Sequence, residues 1–77
     1  MDMGRFYFDV TDGDTHRDQD GEAFQDASAA RLAALEISAA ALRDRGADLQ
    51  GGGDLRVNVR DETGATIFSI TTTAKIL

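Results

Sequence analysis

Cysteine is absent from this 77-residue chain, which excludes disulfides, thiolate metal sites and a cysteine nucleophile. The single histidine, His16, is too little for a zinc staple. No apolar run approaches the ~20 residues of a membrane span. Basic clusters are missing too, and with a net charge of −6 phosphate repulsion disfavours direct binding of nucleic acid. The start, Met1-Asp2-Met3-Gly4-Arg5, carries no signal-peptide pattern and runs directly into a strand pattern. Together with the missing cysteine, this suits a cytoplasmic protein.

What is there is one domain near the lower end of independent folding, spanning residues 1–77, with 1–3 and 72–77 as candidate frayed ends. A core of that size typically supplies only ~3–5 kcal/mol net, so good local propensity or self-association has to support it.

The charge is segregated. Residues 9–26 hold seven acids (Asp9, Asp12, Asp14, Asp18, Asp20, Glu22, Asp26) against Arg17 alone, a sum of −6, and the other 59 residues hold seven acids and seven bases. A neutral scaffold with an acidic loop is suited to cations or basic protein surfaces.

Hydrophobic periodicity predicts the elements. Arg5–Val10 alternates, with Phe6, Phe8 and Val10 on one face and Arg5, Tyr7 and Asp9 on the other, as in a strand. Asp12-Gly13 makes a tight turn. Thr15–Gln19 forms a weak, edge-like second strand, and Phe24 folds back over the core rim. Asp26 is placed to cap a helix from Ala27 to about Arg45, with Gly46 as its stop. Gly51-Gly52-Gly53 connects that helix to a strand at Leu55–Arg60 and lacks the context of a phosphate-binding loop. Asp61-Glu62-Thr63-Gly64 turns the chain into a last strand, Ala65–Thr71, and Thr72–Leu77 either extends it or frays. The sum is an α+β fold of order β-β-α-β-β. An antiparallel-dominated sheet is expected, with the helix packed on one of its faces.

The helix has two apolar faces at 100° per residue. Leu32, Leu35, Ala39 and Leu42 form one, expected to cover the sheet. Ala30, Ala33, Ala34, Ile37, Ala40 and Ala41 form the other. That second face is either a solvated alanine surface or a helix–helix contact in a homodimer, with Ala30, Ala34, Ile37 and Ala41 as the self-association residues.

Several stretches resemble a family of small bacterial proteins known only as a domain of unknown function. They are Arg5-Phe6-Tyr7-Phe8-Asp9-Val10, Asp12-Gly13, Asp18-Gln19-Asp20-Gly21, Phe24-Gln25-Asp26 and Val57-Asn58-Val59-Arg60-Asp61-Glu62-Thr63-Gly64. The resemblance spans nearly the whole chain and implies a fold but no activity. Three positions depart from the family pattern. Asp9 stands where a histidine is expected, Leu55 replaces a tryptophan, and a proline after the last strand is missing near Thr71. Any role of that histidine is lost here.

No catalytic residue, metal ligand or cofactor site is assigned. The acid-rich loop fails the EF-hand pattern, because counting back from Gly21 puts His16 first and Ala27 twelfth. His16 lies on a surface loop without a positioned partner or a pocket. Ser28, Ser38 and Ser69 have no histidine in a predictable geometry, and Tyr7 suits strand packing with a wet tip. The expected function is a non-enzymatic protein-interaction module that self-associates as a homodimer. Its acidic loop, 9–26, would present Asp12, Asp14, Asp18, Asp20 and Glu22 to a cationic, basic protein partner. Two alternatives stand beside it: an acidic decoy or inhibitor of a nucleic-acid-binding protein, and an irregular calcium-binding protein.

Overall fold

The structure, a computed structural model, describes residues 4–77; the expected fraying of residues 1–3 lies outside the described residues. The elements are β1 (Gly4–Thr11), β2 (Thr15–His16), β3 (Glu22–Phe24), α1 (Ala27–Leu49), β4 (Gly53–Arg60) and β5 (Thr66–Ala74). All pairings are antiparallel, in the order β2-β1-β4-β5, with β3 also on β1. This is the expected α+β architecture, with the helix lying on one face of a single sheet.

The alternating pattern sets the inner face. Phe8 stands opposite Val59 and Val10 opposite Val57, while Val59 and Val57 meet Phe68 and Ile70 on their other side. Phe6, Val57 and Val59 are buried in the core, and Phe24 packs edge-on against both Phe6 and Phe8.

The polar run after β1 does not make one second strand over Thr15–Gln19. It makes two fragments of an interrupted strand. β2 pairs in a register where partner numbers sum to 26 (Thr11 with Thr15), and β3 in one where they sum to 28 (Phe6 with Glu22). The three residues Tyr7–Asp9 therefore face the five residues 17–21, a two-residue insertion. Phe24 covers the rim as expected, but from within β3.

Asp26 caps α1, its Oδ1 accepting from the Ala29 amide at 2.8 Å, as expected for an N-cap carboxylate. The helix does not stop at Gly46; it runs to Leu49, and positive φ angles appear at Gly52 (+94°) and Gly53 (+141°). A helical glycine costs about 1 kcal/mol, and the extra turn carries Leu49 down to the start of β4. Thr72–Ala74 extends β5 instead of fraying.

The largest correction concerns the helix faces. Ala30 and Ala34 are completely buried against the sheet, with Ile37 packed beside them, whereas Leu32 and Leu35 are 59% and 50% exposed. The self-association residues Ala30, Ala34, Ile37 and Ala41 thus lie on the stripe turned to the sheet, and the leucine face points away from it. Volume explains the choice. The inner sheet face carries Phe6, Phe8, Phe68 and Leu55, with Phe24 at its rim. Interiors fill to crystal-like density, and a floor of large side chains leaves room only for a ceiling of small ones. Ranking the helix faces by side-chain hydrophobicity puts the leucine face first; matching volumes reverses that ranking.

Candidate functional site

The acidic segment wraps the free edge and outer face of β1. Where β2 and β3 leave a gap, the edge of β1 between their pairings has no strand beside it. A buried amide needs a partner, and the Asp18 side chain supplies it. Its Oδ2 accepts from the Phe8 amide at 3.1 Å, and its Oδ1 accepts from the amides of Asp20 and Gly21, each at 3.1 Å. One carboxylate thus replaces the missing strand and also tightens the loop behind it.

Asp9 projects from β1 beneath this loop and is only 7% exposed. Its Oδ2 accepts from Arg60 Nε at 2.6 Å, and its Oδ1 from Arg60 Nη2 at 3.0 Å and from the Asp18 amide at 2.9 Å. Arg60 Nη2 also donates to the Asp18 carbonyl at 2.9 Å, and the guanidinium carbon lies 5.0 Å from the Tyr7 ring centroid, within cation–π range. A register shift at Val59/Arg60 in the β4–β5 pairing accompanies the turn of this arginine toward the cluster, a common use of a bulge. The bidentate fork is the strong form of the Arg–carboxylate pair. Among the described residues, no buried side-chain nitrogen or oxygen lacks a hydrogen-bond partner.

The titration behaviour follows from these contacts. The hydrogen bond from Arg60 outweighs burial and holds the Asp9 carboxyl below the ordinary carboxylate range, with the Asp18 amide adding to it. Burial pushes the Asp18 carboxyl up, but the amides of Phe8, Gly21 and Asp20 together outweigh it and leave the group lowered. In the turn after β4, the Thr63 hydroxyl lowers Asp61. A carboxyl whose folded value is depressed adds stability above its unfolded value, about 3.9, and that stability is lost as pH falls through the folded value. Thermal stability is therefore expected to fall below about pH 4, and less steeply in Asp9→Asn. Melting curves between neutral and strongly acid pH check this; an identical acid slope in the variant would remove Asp9 from the account.

Of the seven acids in residues 9–26, four are already used by the fold, and two of these, Asp12 and Asp18, were expected to meet a partner. Asp9 and Asp18 hold the bulge, Asp26 caps α1, and Asp12 pairs with Arg45 of the helix, with His16 at 3.6 Å from its other oxygen. Asp14, Asp20 and Glu22 remain: all three are exposed, and among the described residues their carboxylates have no hydrogen-bond or ion-pair partner. Arg5 reaches the same loop but donates to the Asp20 carbonyl at 3.0 Å. The acids do not gather as a ligand set; among the described residues no three or more His, Asp or Glu side chains stand where they could hold one metal ion. A cavity of about 190 Å³ opens at the far end of the helix between Asp12, Arg45, Leu49, Gly53 and Leu55, and the Asp12–Arg45 pair at its wall is already neutralised. No described helix is long and apolar enough to cross a membrane.

The Asp9–Arg60 pair was the feature sequence reasoning missed. A carboxylate in the middle of an aromatic strand was its one signal, because a half-buried acid needs a cation. Nothing local pointed to residue 60, 51 positions away.

The sequence matches a family described as Domain of unknown function (DUF6894) over residues 5–73. Comparisons with curated proteins and with solved structures return no match.

Proposed function

Taking as premise that this chain belongs to the DUF6894 family, we propose that it is a non-enzymatic protein-interaction module that self-associates and offers one acidic sheet edge to a basic protein surface. The observation that carries this reading is the division of labour among the acids. The core-side carboxylates, Asp9 and Asp18, are fully engaged in shaping the insertion. Asp14, Asp20 and Glu22 are exposed along the β2–β3 edge and, among the described residues, have no cation beside them. The scaffold beyond residues 9–26 is neutral, so the negative potential is concentrated at that edge, where it steers encounter with a cationic patch.

A lysine- and arginine-rich peptide titrated into the protein, followed by amide NMR, tests the reading. Shift changes are expected within residues 13–22, weakening as salt rises. They should be lost in the triple variant Asp14→Asn, Asp20→Asn, Glu22→Gln, whose fold is intact because none of the three holds a structural contact. Shifts scattered over all acids, or unchanged in the variant, would refute the edge as the contact surface.

A further inference from the structure

The acidic segment contains two Asp-Gly steps, Asp12-Gly13 and Asp20-Gly21. At such a step the glycine amide nitrogen can attack the side-chain carboxyl carbon of the preceding aspartate. A C–N bond forms, the carboxyl loses one oxygen as water, and a five-membered imide results. Water then adds to either imide carbonyl and that C–N bond breaks. One route restores aspartate. The other leaves isoaspartate, in which the main chain runs through the former side chain. Glycine favours the attack because it has no Cβ to crowd it. The peptide must still turn to bring its nitrogen to the carboxyl, so a peptide held by hydrogen bonds is protected.

The fold treats the two steps in opposite ways. At Asp20-Gly21 the nitrogen is tied down. The Gly21 and Asp20 amides both donate to Asp18 Oδ1, each at 3.1 Å, and the Asp20 carbonyl accepts from Arg5 Nη1 at 3.0 Å. A Cβ at Gly21 would stand 2.8 Å from the Phe6 carbonyl oxygen, so this peptide lies against β1, and turning it dismantles the insertion. The Asp20 carboxylate is free, but the nitrogen it needs is not. At Asp12-Gly13 the nitrogen is free. Gly13 is exposed, its φ is +109°, and a Cβ there would meet nothing within 4 Å. Among the described residues its amide has no hydrogen-bond partner; the turn is closed by the Asp12 amide, which donates to the Asp14 carbonyl at 3.1 Å. Here the carboxylate is held, by Arg45 on one oxygen with His16 3.6 Å from the other. The Arg45 side chain is 43% exposed, and exposed ion pairs are weak. Hydrogen bonds to a partly buried carboxylate are the stronger restraint, so Asp12 is the less protected of the two.

We propose that Asp12-Gly13 is a site of spontaneous aspartate isomerisation in the folded protein, with the Arg45 ion pair setting its rate and Asp20-Gly21 held inert. The product keeps the net charge of −6. It lengthens the main chain of the β1–β2 turn by one methylene and shortens the carboxylate's reach by the same amount, so the tie between that turn and α1 is lost. The modification thus falls beside Asp14 at the acidic edge without removing any of the exposed acids.

Trypsin separates the two steps, because cleavage after Arg5, Arg17 and Arg31 leaves Asp12 in the peptide 6–17 and Asp20 in the peptide 18–31. The native protein is warmed at neutral pH in heavy-oxygen water, digested and analysed by mass spectrometry. Each passage through the imide incorporates one heavy oxygen, and electron-transfer fragmentation locates the isoaspartate. Label at Asp12 is expected to accumulate about tenfold faster than at Asp20, where a hydrogen bond to a charged group must first be broken. In urea the two rates should converge, since both steps are then unrestrained Asp-Gly. Arg45→Ala and Arg45→Gln should each speed labelling at Asp12 about threefold, the worth of an exposed pair, and leave Asp20 slow, which also reports that the variant is folded. Equal rates in the native protein, faster labelling at Asp20, or no label at Asp12 would overturn the site. A rate at Asp12 indifferent to both Arg45 variants would overturn the ion pair as its control.

Discussion

Asp9→Ala is expected to remove most of the protein's net stability at room temperature. The substitution removes a carboxylate that receives three hydrogen bonds, two from Arg60 and one from the Asp18 amide. It strands a guanidinium whose side chain is only 12% exposed. Breaking a buried pair by removing one partner costs ~3–5 kcal/mol, and the pair's position at the rim of the sheet argues for the lower end. That is comparable to the entire net stability expected of a core this small, ~3–5 kcal/mol. Urea or thermal unfolding followed by circular dichroism measures it. A further Arg60→Ala change should recover part of the loss, because the cost lies in the unpaired charge more than in the missing attraction. If the single variant melted within a few degrees of wild type, the pair would be a surface contact of little energetic consequence.

The second large effect is expected at Gly21. Its φ of +67° lies in the left-handed region, where a side chain costs ~1–2 kcal/mol. A Cβ there would also stand 2.8 Å from the Phe6 carbonyl oxygen and 2.8 Å from Tyr7 Cε1. Neither can withdraw freely, since the carbonyl belongs to β1 and the Tyr7 ring lies beneath Arg60. Gly21→Ala should therefore destabilise by about 2–4 kcal/mol, the backbone penalty plus the displacement of the strand. Gly64 supplies the control, with a φ of +89° and open space around it. Gly64→Ala should cost clearly less in the same melting assay, and equal losses at the two positions would show that close approach contributes nothing at Gly21.

Gly21 and the Asp9 contact to the Asp18 amide bear on function through shape. They bend the chain so that three β1 residues are opposed by five, residues 17–21, and the exposed Asp20 lies on that excess. Weakening the insertion should blur peptide contacts at this edge before it abolishes them.

Much of the local architecture was legible in the sequence because it depends on near neighbours. The alternation at Arg5–Val10 and Leu55–Arg60 set strands whose inner faces are as expected. Asp26 capped the helix that follows it, and Asp12-Gly13 and Asp61–Gly64 turned the chain, with positive φ at Gly13 and Gly64. The α+β class follows from that order of elements.

Tertiary structure alone decided which helix face was buried, since that depends on the volume of residues far away in the chain. Alanine is weakly apolar, yet Ala30 and Ala34 are fully buried in one cluster with Phe6, Val57 and Val59. It likewise decided which acids are structural. Asp18 and Asp20 are chemically identical and two residues apart, but only one lies within reach of the Phe8 amide. Composition and spacing determined the elements, the charge and its placement in residues 9–26; long-range packing and hydrogen bonding determined which side chains remain free to meet another molecule.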